Sequence, residues 1–300
     1  MSTGSRITAI GVALMVLAGS ALGCSLPRVP EINIRVPQLE IGELRDERVT
    51  VPLPAESAVQ AEVLFGAGEL ALAAGSAESL LDAHFVYNIE NWKPEVDYKD
   101  GQLTVRQGGD ERAWGVPAGN LDEVRNEWEL RFGPTVALDL HVRAGAGQGT
   151  LDLSGLALTA LQADMGAGDF TLRFDEPNPT RMERLTINAG ASRLAVSGLG
   201  NAGPRNVKVQ GGVGDLTLGF GGAWPTSTDV QINAGVGTLI LRLPEDIGVR
   251  VALKGAATDI EAPGFTRQGD AYVNAAFGQT ETELRIEITL GVGEVKLELE

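Results

Sequence analysis

Cysteine is almost missing from this chain: one in 300 residues, at Cys24, so no intramolecular disulfide can form. Histidine is nearly as scarce, at His84 and His141, and with a single Cys this removes the usual zinc ligand sets. Cationic side chains are outnumbered, 24 Lys and Arg against 40 Asp and Glu for a net charge of −16. That balance has the wrong sign for nucleic acid, whose binding needs dense positive surface, and for electrostatic attraction to anionic lipid. Aromatic residues make up only 5 %, yet Trp92, Trp114 and Trp128 fall close together with Phe85, Tyr87, Tyr98 and Phe132. This grouping points to a local aromatic core, with an exposed carbohydrate-stacking face as the alternative. No apolar run approaches the roughly 20 residues of a bilayer span. What is abundant is glycine, 39 residues, and apolar residues at 43 %, enough to bury a sizeable core.

Residues 1–23 have the three parts of a secretory signal: Arg6, an apolar stretch over 7–18, and mostly small residues over 19–23. Ala21-Leu22-Gly23-Cys24 resembles the bacterial lipobox, with Ala where that motif prefers Leu. The resemblance implies a diacylglycerol on the Cys24 thiol and an acylated new N-terminus. Each buried CH₂ of such chains contributes about 0.8 kcal/mol, so they anchor stably. The expected location is extracytoplasmic, held to the membrane through acyl chains on Cys24. Residues 24–54 carry Pro27, Pro30, Pro37, Pro52 and Pro54, the composition of an extended tether. Its stretch to Asp46 can reach roughly 70 Å from the membrane when extended.

Residues 55–132 are expected to form a small β-rich domain. Glu95-Val96-Asp97-Tyr98 and Gln102-Leu103-Thr104-Val105-Arg106 flank Lys99-Asp100-Gly101, a hairpin signal. Short helices are expected only over 76–83 and 121–126. Residues 133–300 repeat. Leu185-Thr186-Ile187-Asn188-Ala189-Gly190, Val207-Lys208-Val209-Gln210-Gly211-Gly212 and Val230-Gln231-Ile232-Asn233-Ala234-Gly235 share one alternation. Each is followed by a second strand of opposite phase. Gly145, Gly166, Gly190, Gly212, Gly235 and Gly255 recur every 20 to 24 residues. Such a period predicts an all-β solenoid whose coils bury their apolar sides only by stacking. Antiparallel hairpins stacked into a sandwich fit the same alternation, and the segment 285–299, turning at Gly291-Val292-Gly293, reads as a hairpin. Charges at Lys296, Glu298 and Glu300 would then guard an exposed final edge.

Asn91-Trp92-Lys93-Pro94-Glu95-Val96, Asn126-Glu127-Trp128-Glu129-Leu130 and Leu138-Asp139-Leu140-His141-Val142-Arg143-Ala144-Gly145-Ala146-Gly147 resemble the toast-rack proteins over residues 49–300. These are bacterial envelope proteins of uncharacterised function. Their repeat domain is similar to the C-terminal domain of Lia-type envelope-stress regulators and to adhesins. The regulators carry transmembrane helices ahead of this domain, where this chain has a lipobox. No catalytic residues come with the resemblance.

Sites of chemistry are thinly supported. Gly211-Gly212-Val213-Gly214-Asp215 places its acid one residue early for a calcium nonapeptide, and Asp97-Tyr98-Lys99-Asp100-Gly101 lacks the downstream Glu of a calcium loop. The acid pairs Asp139 with Asp152, Asp164 with Asp169 and Glu281 with Glu283 would suit glycoside hydrolysis only if brought about 5–10 Å apart. Neither histidine lies near a Ser elbow or a nucleophilic Cys. The Gly-x-Gly turns join strand to strand, without the helix a phosphate cradle needs. The expectation is a non-enzymatic β-repeat module of the cell envelope with no cofactor or metal, binding an envelope protein or wall polymer. The resemblance implies a link to stress sensing or adhesion; the alternative is a carbohydrate-active enzyme using paired carboxylates on a β-helix face.

Overall fold

The computed structural model describes residues 40–109, 123–255 and 258–300. Cys24, the signal segment, most of the tether and Trp114 lie outside the described residues. Sixteen strands among them join one mixed sheet that does not close on itself. They are β1 (Arg45–Pro52), β2 (Ala58–Ala74), β3 (Ser79–Tyr87), β4 (Pro94–Lys99), β5 (Gln102–Gln107), β6 (Asn126–Phe132), β7 (Ala137–Asp152) and β8 (Leu158–Arg173). After these come β9 (Arg184–Ser197), β10 (Asn206–Gly219), β11 (Thr228–Leu243), β12 (Gly248–Gly255), β13 (Thr258–Glu261), β14 (Thr266–Gln268), β15 (Ala271–Val273) and β16 (Glu283–Leu299).

The heart of the fold is a parallel stack in the order β2, β7, β8, β9, β10, β11, β16. Each member is 14 to 17 residues long and has two arms. In β9 the buried residues are Leu185, Ile187 and Ala189, then Ser192, Leu194 and Val196. The alternation changes phase across Gly190 and Ala191, because the chain turns a corner there. Both arms thus send their apolar side chains into one core, which also takes Phe174, Met182, Leu199 and Phe220 from the return segments. Register is strict: Leu185 lies beside Val207, Val207 beside Val230, and Val230 beside Ile286. Parallel pairing settles the choice left open by the alternation: the repeats are solenoid coils, not hairpins in a sandwich. The segment 285–299 is corrected accordingly. It is one bent strand, parallel to β11 over its whole length.

The bend needs glycine for two reasons. Gly237 has φ +144°, and a Cβ there would sit 1.8 Å from the Gly214 carbonyl oxygen of the coil below. Gly168 and Gly293 repeat that geometry against Gly147 and Gly237. The coil β9 departs, with Ser192 in place of the second glycine. Gly255, expected as the next member of the series, lies instead beside Leu290, and Gly291 follows Gly235 in space.

Both ends of the stack are closed by an interrupted coil. β5 and β6 lie along the two arms of β2, on the side away from β7, and residues 108–125 intervene where other coils have the bend. β12 and β13 likewise lie along the two arms of β16, on the side away from β11. Short antiparallel strands then cover these caps: β4 on β5, β3 and β1 on β6, β15 and β14 on β12. Edges that are short, charged and covered discourage strand addition. β16 is therefore an inner rung, and its charges do not guard a free edge.

The Asp100-Gly101 hairpin forms as expected, with positive φ at both residues and Lys99 opposite Gln102. The helix expected over 76–83 does not form. Leu81, Ala83, Phe85 and Tyr87 alternate into the core, and β3 is held between β1 and β6. Trp92 and Trp128 are only 2 % exposed, and Trp128 packs edge-on against Phe65 and Phe85 at 5.2 and 5.1 Å. These two tryptophans form core, not a sugar-stacking face. No helix among the described residues is long and apolar enough to cross a membrane.

Candidate functional site

Alternation leaves every second residue of each arm facing outward, so the candidate polar residues fall into rows across the coils. Of the six acids paired in the sequence, five are engaged by other side chains. Asp139 meets Arg184 at 3.0 Å, Asp152 meets Arg173 at 3.3 Å, Asp169 meets Arg193 at 2.8 Å, and Glu283 meets Arg285 at 3.0 Å. Asp164 lies on the first arm of β8 and Asp169 on the second. Each of these acids is held by its own partner, and exposed pairs of this kind contribute about 0–1 kcal/mol each. Asp215 faces out on the second arm of β10, with Arg193 and Thr238 in the neighbouring strands.

What the coil period does bring together is a polar bridge over four strands. His141 Nε2 lies 2.7 Å from Asp164 Oδ2 and His141 Nδ1 lies 3.5 Å from Glu62 Oε1. A carboxylate only accepts, so Nε2 is the donor in the contact with Asp164. Gln162 Nε2 donates to Asp164 Oδ2 at 2.9 Å and Asn188 Nδ2 to Asp164 Oδ1 at 2.5 Å. Both imidazole nitrogens face carboxylates, which leaves neither for a hydroxyl or thiol nucleophile. The arrangement ties β2, β7, β8 and β9 together on their outward side. A groove of about 470 Å³ lies beside it, lined by Arg143, Asp164, Asn188, Gln210 and the glycines that follow them. His84 is placed similarly, with Nε2 2.9 Å from Asp46 Oδ1 and Nδ1 4.0 Å from Glu129. Among the described residues no group of three or more His, Cys, Asp or Glu has the geometry to hold a metal ion.

Asp164 is depressed below its ordinary value of 3.8. Burial pushes the carboxyl up, but the hydrogen bonds from Asn188, His141 and Gln162 together outweigh it. The folded value lies below the unfolded one, so its stabilisation is complete above about pH 4 and fades as pH falls through the folded value. Asp164→Asn is expected to cost about 1–2 kcal/mol at pH 7. Urea midpoints measured from pH 7 to 3 should converge for variant and wild type toward the acid end.

A second polar cluster was not anticipated from the sequence. Gln107 and Asn126 end β5 and begin β6, where the capping coil is interrupted. Gln107 Oε1 accepts from the Gly66 backbone N–H at 3.0 Å, and Asn126 Nδ2 donates to the Ala67 carbonyl at 2.6 Å. Asn126 Nδ2 also bonds Gln107 Oε1, and its Oδ1 accepts from Trp128 Nε1 at 2.9 Å. These side-chain amides take the place that a neighbouring Gly-x-Gly backbone fills elsewhere. Asn274 does similar work near the other end, accepting from the Val249 N–H and donating to the Pro244 and Ile247 carbonyls. Such roles belong to capping and not to chemistry. Asn126 is the one member lying within a motif that carried the family resemblance.

No curated protein matches the chain in sequence. Among solved structures, a candidate cell adhesion protein from Clostridium sporogenes is 22 % identical, covering 86 % of this chain and 100 % of its own, with a TM-score of 0.46. A candidate adhesin from Bacteroides fragilis is 13 % identical, covering 85 % and 97 %, with a TM-score of 0.41. A candidate lipid binding protein from Parabacteroides distasonis is 8 % identical over the same shares, with a TM-score of 0.40. The sequence profile of the N-terminal domain of toast_rack, DUF2154, matches residues 40–197 and again 178–242, two overlapping registers on one repeated coil. More than half of the sequence is thereby accounted for, and the chain belongs to the toast-rack family.

Proposed function

We propose that this protein is a lipid-anchored, extracytoplasmic β-repeat module that binds or scaffolds within the bacterial cell envelope and catalyses no reaction. The observation that carries this reading is the stack itself. Seven long strands in parallel register, with one slip between β7 and β8 at Leu138 and Asp139, and capped at both ends, present rows of side chains at a fixed spacing, a surface suited to many weak contacts. Five of the six acids considered for hydrolysis are engaged by an arginine, a histidine or an amide. Membership in the toast-rack family fits an envelope setting, and Cys24 behind its signal supplies the anchor.

The test is metabolic labelling with a clickable fatty acid in the native host, wild type beside Cys24→Ala. Label on the wild type alone, with the variant leaving the membrane fraction, is the expected result. Unlabelled wild type released to the medium would overturn the anchor.

A further inference from the structure

One row on the outward side of the first arm carries carboxamides. Asn188 of β9, Gln210 of β10 and Asn233 of β11 lie in register, and Thr289 of β16 continues them. Gln210, Asn233 and Thr289 are exposed, and Gln210 and Asn233 make no side-chain hydrogen bond to another described residue. Two residues further along each strand stand Gly190, Gly212, Gly235 and Gly291, stacked so closely that each lies over the carbonyl of the one before. At the apex of the bend come Ala191, Val213, Val236 and Val292, and the three valines are 60 %, 50 % and 60 % exposed.

These three rows make a trough across four coils: a carboxamide wall, a bare backbone floor and an apolar ridge. Its β9 and β10 members line the groove of about 470 Å³ beside Asp164, which continues over β8 and β7. From β9 to β16 no charged side chain belongs to any of the three rows, in a chain of net charge −16. Acids and bases are confined to the flanking rows, as at Lys208, Asp215 and Glu287.

An uncharged trough gives no purchase to a polyanion or a polycation. Three valines and an alanine are far too little apolar surface for a second copy of the chain, since a stable pair buries about 800 Å² on each partner. A linear polymer is different, because it gains a small contact at each repeat. The coils are spaced about 4.8 Å apart, close to the rise of one sugar in an extended β-1,4-linked chain. Such a sugar shows apolar C–H surface on one side and polar groups at its edge. Carboxamides both donate and accept, so they match an acetamido group at both of its polar atoms.

We propose that the trough binds a linear β-1,4-linked chain of N-acetylated aminosugars, one sugar to a coil, over β9, β10, β11 and β16. Successive sugars of such a chain are turned over, so the acetamido groups of alternate sugars bond Asn188 and Asn233, the ring-oxygen and hydroxymethyl edge of the sugar between them faces Gln210, and the sugar faces lie against Val213, Val236 and Val292. This names a ligand for the binding role proposed above and rests on that reading only for where the polymer is met.

The test is titration calorimetry of the purified full chain with N-acetyl-chito-oligosaccharides of two to six sugars. Affinity is expected to rise with length up to about four sugars and then level off. Asn233→Ala should weaken the tetramer about 3- to 10-fold, the effect of losing about one hydrogen bond. Val236→Glu should weaken it more than 10-fold. Both side chains are exposed, so both variants should keep the wild-type Tm, and Thr217→Ala on the second arm should bind as wild type does. Absence of binding, affinity independent of length, equal binding of cello-oligosaccharides, or unaltered binding by Val236→Glu would each overturn the proposal. Binding in solution does not depend on Cys24, so a failed anchor and a failed trough give separate results.

Discussion

Gly237→Ala is expected to destabilise the protein by on the order of 4 kcal/mol, enough to remove most of the usual 5–15 kcal/mol of a folded domain. Two independent costs meet at this atom. The backbone at φ +144° is a conformation that side chains rarely adopt, worth about 1–3 kcal/mol of strain. The new methyl would also lie 1.8 Å from the Gly214 carbonyl oxygen and 2.8 Å from its carbon, which are backbone atoms of a paired strand and cannot swing aside. Opening the ladder to admit it separates β10 from β11 in the middle of the stack, a further cost of about 1–3 kcal/mol. Gly269→Ala is the control. Its φ of +63° makes alanine mildly unfavourable, but nothing lies within 4 Å of the added carbon, so about 1 kcal/mol is expected. Thermal or urea unfolding of the two variants checks the prediction. Equal losses would show that conformation alone, without the stacking of coils, makes these glycines necessary.

The glycine columns are the part of the fold most legible in the sequence, because a side chain is excluded at the same place in successive coils. The alternation of Leu185 and Ile187 with Thr186 and Asn188 likewise gives inward and outward faces directly. Pairing direction does not follow from alternation, since parallel and antiparallel strands of a two-faced sheet read alike. It follows from what joins the strands. β9 ends at Ser197 and β10 starts at Asn206, a connection that carries a helical turn at Leu199–Ala202 and returns the chain to the same end of the stack. The bend, Gly-x-Gly in most rungs and Gly190-Ala191-Ser192 in β9, lies inside each rung and so joins no two rungs.

The misread helix over 76–83 has a local cause. Ser76-Ala77-Glu78-Ser79-Leu80-Leu81-Asp82-Ala83 is rich in helix formers, yet Leu80 and Leu81 are both fully buried, and β1 and β6 together hold the segment extended. Tertiary pairing outweighs a propensity of tenths of a kcal/mol per residue. The site was legible only through the period. His141 stands beside Gln162 one coil on, so Asp164 comes within reach by a diagonal step. Read residue by residue, 23 positions of separation hide the contact. The buried amides Gln107 and Asn126 were hidden more deeply, because their partners are backbone groups that every residue possesses.

Removing residues 283–300 is expected to abolish the fold of the C-terminal coils outright, a larger effect than any single substitution. The reason is the order of strands in space. β16 lies between β11 and β12, and the short β13 pairs with β16 alone. Deletion strips Leu284, Ile286, Ile288, Leu290, Val295 and Leu297 from the core, all at most 2 % exposed. At about 1.5–3 kcal/mol for each buried side chain, that is on the order of 10 kcal/mol, comparable to the whole stability of a domain. The loss does not stop there, because β12, β13, β14 and β15 have no other route to the stack. Removing an edge strand should be far milder: β1 contributes only Val51 to the buried core. Hydrogen exchange of the truncated chain should therefore show protection lost from residue 248 onward and weakened in β11, with the coils β7 to β9 still protected. Protection persisting in β12 without β16 would mean that the cap docks directly on β11, which the register over residues 283–290 contradicts. The same geometry sets an order of assembly. β12 and β13 leave β11 with a gap one strand wide, and the cap becomes part of the sheet only when β16 fills it.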